Sequence, residues 1–169
     1  IENSLTDKIS LNILKHHYKG FKKYSFLDRG SDERQYCNPN VNLPMVSIMK
    51  KKYHEYREYH SSLDNLSFVK KNHLNHTFEF YKKLIFLIEN NFYVQSKFIC
   101  EPHLNRYFLL KKKGGQKLKG NLKLVLDILI YSDGKNTIVD IAEKLNKSAI
   151  NILPLVLKLK DMNFITLKM

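Results

Sequence analysis

Residues 30–65, GSDERQYCNPNVNLPMVSIMKKKYHEYREYHSSLDN, decide the fold. Residues with chemical uses are dense and rigidly placed here. Gly30-Ser31-Asp32-Glu33 reads as a tight polar turn, and Leu43-Pro44-Met45-Val46-Ser47-Ile48-Met49 as a short buried strand, apolar on both faces and closed by the lysines at 50–52. His60, followed four positions later by Asp64, falls on a loop after that strand. In α/β proteins the loops beyond strand ends are where ligands bind.

On the N-terminal side, Ser4 and Asp7 have the spacing of a helix start, and Leu5, Ile9 and Ile13 mark one face. The spacing predicts a helix over 5–19 stopped by Gly20, then a strand over 24–27 that delivers the chain to the turn. His16 and His17 fall in the last turn, where a cationic ring suits the helix dipole. On the C-terminal side, Leu74, Phe78, Tyr81, Ile85, Ile88 and Phe92 repeat at steps of three and four. They predict a long helix over 70–91 whose aromatic stripe is core packing against one face of the sheet. His73 and His76, on the same helix, are expected to face solvent. Residues 93–99 alternate enough for an edge strand.

The run KKKGGQKLKG at 111–120 has no apolar period and marks a domain boundary. Beyond it, Leu122, Val125, Leu126, Leu129 and Ile130 predict one helix, Thr137 caps a second, and Ser148 caps a third that contains Pro154. A closing strand over 164–168 completes a winged-helix silhouette. A helix that reads DNA shows a polar face to base edges and phosphates. The third helix instead carries Ile150, Ile152, Leu153, Leu155, Val156, Leu157 and Leu159, with only Asn151, Lys158, Lys160 and Asp161 polar. Docking against the rest of the protein, or against another subunit, is therefore favoured over DNA.

With 169 residues the chain holds one ordinary domain, or part of one plus a small one. Its net charge of +13 invites a nucleic-acid reading. Only four of the 29 cations are arginine, however, and the chain also holds 16 asparagines, a bias that spreads lysine over every segment rather than into a patch. Cys37 and Cys100 have neither disulfide-framework nor zinc-ribbon spacing, so a reduced cytoplasmic setting is expected. No apolar run reaches membrane-spanning length, and no membrane partner is expected.

The order of the pieces resembles the C-terminal third of the zinc-dependent aminopeptidases with paired metals, whose relatives include the glutaminyl cyclases. Those proteins carry a Ser-Asp-His turn, a Gly-Ile-Pro-type strand and a His-Thr-x-x-Asp loop whose histidine is the last metal ligand. The counterparts here are Ser31-Asp32-Glu33, residues 43–49 and His60-Ser61-Ser62-Leu63-Asp64. The longer string from Gly30 to Cys37, with Cys100-Glu101-Pro102, is closer to a bacterial branch of aminopeptidase-like proteins, often encoded beside polysaccharide biosynthesis genes, that end in a winged helix. Glu33 departs from the peptidases' histidine; Ser61 replaces threonine and keeps a hydroxyl.

This resemblance implies an α/β fold: a partial three-layer αβα zinc-exopeptidase-like domain over 1–110, a linker over 111–120, and a small winged-helix domain over 121–169. It implies zinc, one or two ions in the complete protein, with His60 as a ligand and Asp64 orienting its loop. Asp32 and Glu33 are the candidates to hold a substrate amine or to support the site by hydrogen bonds. The substrate class is a peptide or a small amide. The family's His-x-Asp segment and Glu-Glu pair do not occur here, so the chain is expected to be a C-terminal fragment whose partner is the missing N-terminal part of the catalytic domain. A DNA-binding winged helix and a non-catalytic interaction module are the alternatives, and a homo-oligomer stays open.

Overall fold

Two local signals start two helices. In this computed structural model, which describes residues 3–28, 30–104 and 120–169, α1 (Leu5–His17) opens on a reciprocal capping box. Ser4 Oγ accepts from the Asp7 N–H at 3.2 Å, and Asp7 Oδ2 accepts from the Ser4 N–H at 3.1 Å. Thr137 and Asp140 repeat the device at 3.3 and 3.0 Å to start α5 (Ile138–Lys144). Each box satisfies two backbone donors that a helix start otherwise leaves unpaired.

Between these helices lie a single 3₁₀ turn at Phe26–Asp28, a one-turn helix α2 (Glu33–Tyr36), and the long helix α3 (Lys71–Glu89). After β1 (Tyr93–Ser96) come α4 (Asn121–Tyr131), β2 (Asp133–Thr137), α5, α6 (Ala149–Asp161) and β3 (Ile165–Lys168). The three expected C-terminal helices and the closing strand are all present. The linker expected over 111–120 falls, apart from Gly120, outside the described residues.

The sheet is small and antiparallel, in the order β2-β1-β3. β1 was expected at an edge; it is the middle strand, with Tyr93 opposite Thr137 on one side and Lys168 on the other. Its centre, Val94, is fully buried. The central strand of this sheet thus comes from before residue 100, and both its neighbours come from beyond 120. Gly134 has φ +79°, a conformation that favours glycine, and a Cβ there would run into the Gln95 amide. Among the described residues this is the sheet, so the chain is a mixed helix and sheet protein.

One core joins the N-terminal helices to the C-terminal ones. Ile9 and Ile13 of α1, Phe80 and Leu87 of α3, Ile128 of α4, Ile138 and Ile141 of α5, and Ile152, Leu153 and Val156 of α6 are all buried in it. Tyr18 packs edge-on against Phe80 with centroids 5.5 Å apart.

Two expectations fail here. On α3 the buried positions are Phe80 and Leu87, whereas the stripe expected to be core is exposed: Leu74 at 61%, Phe78 at 63% and Ile85 at 59%. The helix is apolar on two faces, and the described residues cover only one. Residues 43–49 do not form a strand, because no described segment offers them a ladder. Leu43 donates its N–H to Tyr36 O at 2.8 Å and Met45 donates to Cys37 Sγ at 3.4 Å, while Leu43, Met45 and Met49 stay exposed. The strand expected over 24–27 is likewise irregular and ends in the 3₁₀ turn.

Candidate functional site

The polar turn closes on Glu33. Its side chain is buried, and both carboxylate oxygens accept hydrogen bonds. Oε1 accepts from the Gly30 N–H at 2.9 Å, the Ser31 N–H at 3.1 Å and the Tyr53 hydroxyl at 3.1 Å. Oε2 accepts from the Ser47 hydroxyl at 3.0 Å. Burial pushes this carboxyl up, but the backbone donors and Ser47 outweigh it and bring it down to about 2. Glu33 is therefore ionised at neutral pH, and it ties three separate segments together: the turn, the extended 43–49 segment and the aromatic loop that follows the lysines.

Tyr53 is the link from this knot to His60. Its ring lies so close to Gly30 that a Cβ there would meet the ring at 2.6 Å, which is why the turn begins with glycine. Tyr53 then contacts Tyr59 at 6.4 Å between centroids, and Tyr59 stacks on His60 at 4.0 Å and 13°. His54 meets Tyr59 edge-on at 4.9 Å, and Tyr56 stacks on Phe68. His60 itself has φ +52°, a left-handed conformation uncommon outside glycine, at the crown of a turn whose Ser61 hydroxyl donates to Glu58 O at 3.0 Å. Its imidazole is exposed, as are the side chains of Asp32 and Asp64. The loop is anchored at its other end too, since the Tyr24 hydroxyl donates to Glu55 at 2.8 Å and Lys52 lies over the Tyr24 ring at 4.6 Å.

The four residues singled out from sequence thus divide into two kinds. Glu33 accepts from four protein donors, three at Oε1 and one at Oε2. Asp32, His60 and Asp64 keep accessible side chains on the two loops that the Glu33 knot holds. His60 and Asp64 are joined through the turn backbone, where the Asp64 N–H donates to Ser61 O at 3.1 Å. The sequence reading missed Tyr53 and Ser47, whose importance lies in contacts 20 and 14 positions away along the chain. The one available signal was Gly30 three positions before a lone glutamate.

Among the described residues no group of three or more His, Cys, Asp or Glu side chains converges as a metal site. The donor set of this chain therefore does not by itself fit zinc, which takes at least three protein ligands. His60 can supply one.

A family model described as "Domain of unknown function (DUF4910)" matches residues 1–91. The chain belongs to the DUF4910 family. A second model, described as "winged helix-turn-helix", matches residues 91–167, so the two meet just before β1. This DUF4910 chain is 36% identical over 140 residues to a Clostridium acetobutylicum protein named "Putative polysaccharide biosynthesis protein with aminopeptidase-like domain", a match that covers 82% of this chain and 32% of that protein. It also resembles the crystal structure of a "putative peptidase" from Clostridium acetobutylicum, with a TM-score of 0.79 and 29% identity over 98% of this chain and 36% of that one. The DUF4910 chain spans about a third of the length of both relatives. No described helix is long and apolar enough to cross a membrane.

Proposed function

We propose that this chain is the C-terminal part of an aminopeptidase-like metallohydrolase acting on a peptide or small amide, and that residues 30–65 form one wall of its active site. The observation that carries the reading is the Glu33 knot. A buried, ionised carboxylate with four donors makes a costly, specific arrangement. What it holds in place is a pair of loops bearing an exposed aspartate and an exposed imidazole. In the complete protein His60 is one ligand of zinc, one or two ions, and Asp64 steadies the His60 loop. Asp32 receives the free amine of the substrate, while Glu33 supports the site from below.

The partner that completes the site is the rest of the catalytic domain. The exposed Leu74, Phe78 and Ile85 stripe supports this, because one face of a helix that apolar needs a covering layer. The same layer gives residues 43–49 a ladder and turns the described portion into part of a three-layer αβα domain, followed by the winged helix. Two unpaired cysteines, Cys37 and Cys100, fit a reduced cytoplasmic setting.

Asp32→Asn in the complete protein tests the amine role. Turnover of aminoacyl anilides should show KM raised by about tenfold or more, the worth of a hydrogen bond to a charged group, with kcat changed less. N-acetylation of the substrate should abolish turnover. Equal turnover of acetylated and free substrates would remove the aminopeptidase reading.

A further inference from the structure

We propose that the helix-turn-helix formed by α5 and α6 is a dock permanently occupied by α1 and closed to duplex nucleic acid, so that this winged helix is a protein-binding module whose partner is the N-terminal portion of its own chain.

A helix-turn-helix reads DNA by placing the N-terminal residues of its second helix against base edges. In this protein the first of those residues, Ala149, meets α1, while Asn151 is exposed. The Ala149 N–H, at the start of α6, donates to Asn12 Oδ1 at 2.8 Å, and Asn12 Nδ2 donates to Glu143 Oε1 at 2.8 Å and to Lys147 O at 3.1 Å. One side chain of α1 therefore engages α5, the turn and α6 at once. His17 Nε2 lies 2.8 Å from the Ser148 hydroxyl, beside the same helix start. Asn12 and Ala149 are both fully buried, and so are Ile9 and Ile13 on the same face of α1. Taking α1 away would bare two isoleucines and strip the buried Ala149 N–H and Ser148 hydroxyl of these partners, so this is core rather than a detachable cover.

Charge points the same way. Lys8 pairs with Asp140 at 2.8 Å and Lys15 with Glu143 at 2.6 Å, so the acidic groups of α5 meet the lysines of α1. In the sheet the place between β2 and β3 is taken by β1, an upstream strand, and the outer side of β3 has no partner among the described residues. What α6 shows to solvent is Asn151, Pro154, Lys158, Lys160 and Asp161, a sparse set of mixed sign.

The test uses the 169-residue chain and a fluorescent mixed-sequence duplex of about 24 base pairs, followed by anisotropy across salt concentrations. With a net charge of +13, weak binding is expected at low salt and should vanish by about 150 mM. Reversing Lys158 and Lys160 to glutamate should weaken that binding by the same factor, within about threefold, as reversing the exposed Lys70 and Lys71 at the start of α3, because only overall charge is sensed. Amide exchange at Ala149 should stay as slow with excess duplex as without it. Binding that survives 150 mM salt and is lost only in the Lys158/Lys160 variant would overturn the proposal, and so would loss of Ala149 protection on adding duplex.

Discussion

Replacing Asn12 with alanine is expected to destabilise the chain by about 3 kcal/mol, measured by urea unfolding. Asn12 lies on the buried face of a helix, where alanine would ordinarily be the better helix former. Its cost comes from what it leaves behind. The Ala149 N–H loses its partner at a fully buried position, the Lys147 carbonyl loses one too, and the Glu143 carboxylate loses one of two donors. A buried group left unpaired costs its full desolvation penalty, which exceeds the net worth of the bond itself. Asn12→Asp is the informative companion. It keeps the acceptor for Ala149 but puts a negative charge beside Glu143, whose carboxyl is pushed up by burial yet held below its usual value by Lys15 and Asn12. That variant should also be strongly destabilised. Lys8→Ala and Lys15→Ala break ion pairs that are partly exposed to solvent, and should each cost less than about 1 kcal/mol. Unfolding should remain a single transition in every case, because α1 and the winged helix share one core. A loss below about 1 kcal/mol for Asn12→Ala would show that α1 is held by something else.

Glu33→Gln is expected to open residues 30–60 locally, with a much smaller effect on the rest of the chain. Glutamine keeps the size, and its Oε1 can still accept from the Gly30 and Ser31 N–H groups and the Tyr53 hydroxyl, but the amide nitrogen in place of Oε2 cannot accept from Ser47. One charge-assisted hydrogen bond is lost and the other three lose their charge, so limited proteolysis at neutral pH should cut within 30–60 at least about tenfold faster than in the wild type. The pH dependence separates this from a general loss of packing. The folded carboxyl titrates at about 2, below its ordinary value of 4.5. Its contribution is therefore fully present above about pH 4.5 and fades as pH falls toward 2. Wild-type amide exchange in residues 30–60 should quicken across that interval, and the glutamine variant should lack this step. An identical acid response in both proteins would mean that another group controls the loop.

Local chemistry was legible in the sequence where both partners lie within one turn of helix. Ser4 with Asp7 and the cap at Thr137 could be read directly, though not its partner Asp140, as could the burial of Ile152, Leu153 and Val156 on α6. What escaped depends on contacts that span the chain. Periodicity finds apolar faces on α3 without saying which is covered, so Leu74 and Phe78 were expected inside and Phe80 and Leu87 went unnoticed. Alternation finds β1 but not its place in the sheet, since both neighbours come from more than thirty residues later. Residues 43–49 have the composition of a strand and lack only a ladder. At the candidate site the sequence named Asp32, Glu33, His60 and Asp64, but it could not distinguish the glutamate that holds the loops together from the residues left accessible on them. That difference lies in the donors around Glu33, two of which come from Ser47 and Tyr53. Asn12 carried one faint sign, a polar residue on the same helical face as Ile9 and Ile13.

The zinc content of the complete protein, wild type against His60→Ala, bears most directly on whether residues 30–65 are part of a metallohydrolase site. Elemental analysis should find stoichiometric zinc in the wild type and a clear fall in the variant, with the 169-residue chain alone holding none tightly, since His60 is a single ligand where at least three are needed. Equal zinc in wild type and variant would place the metal elsewhere and remove His60 from the site.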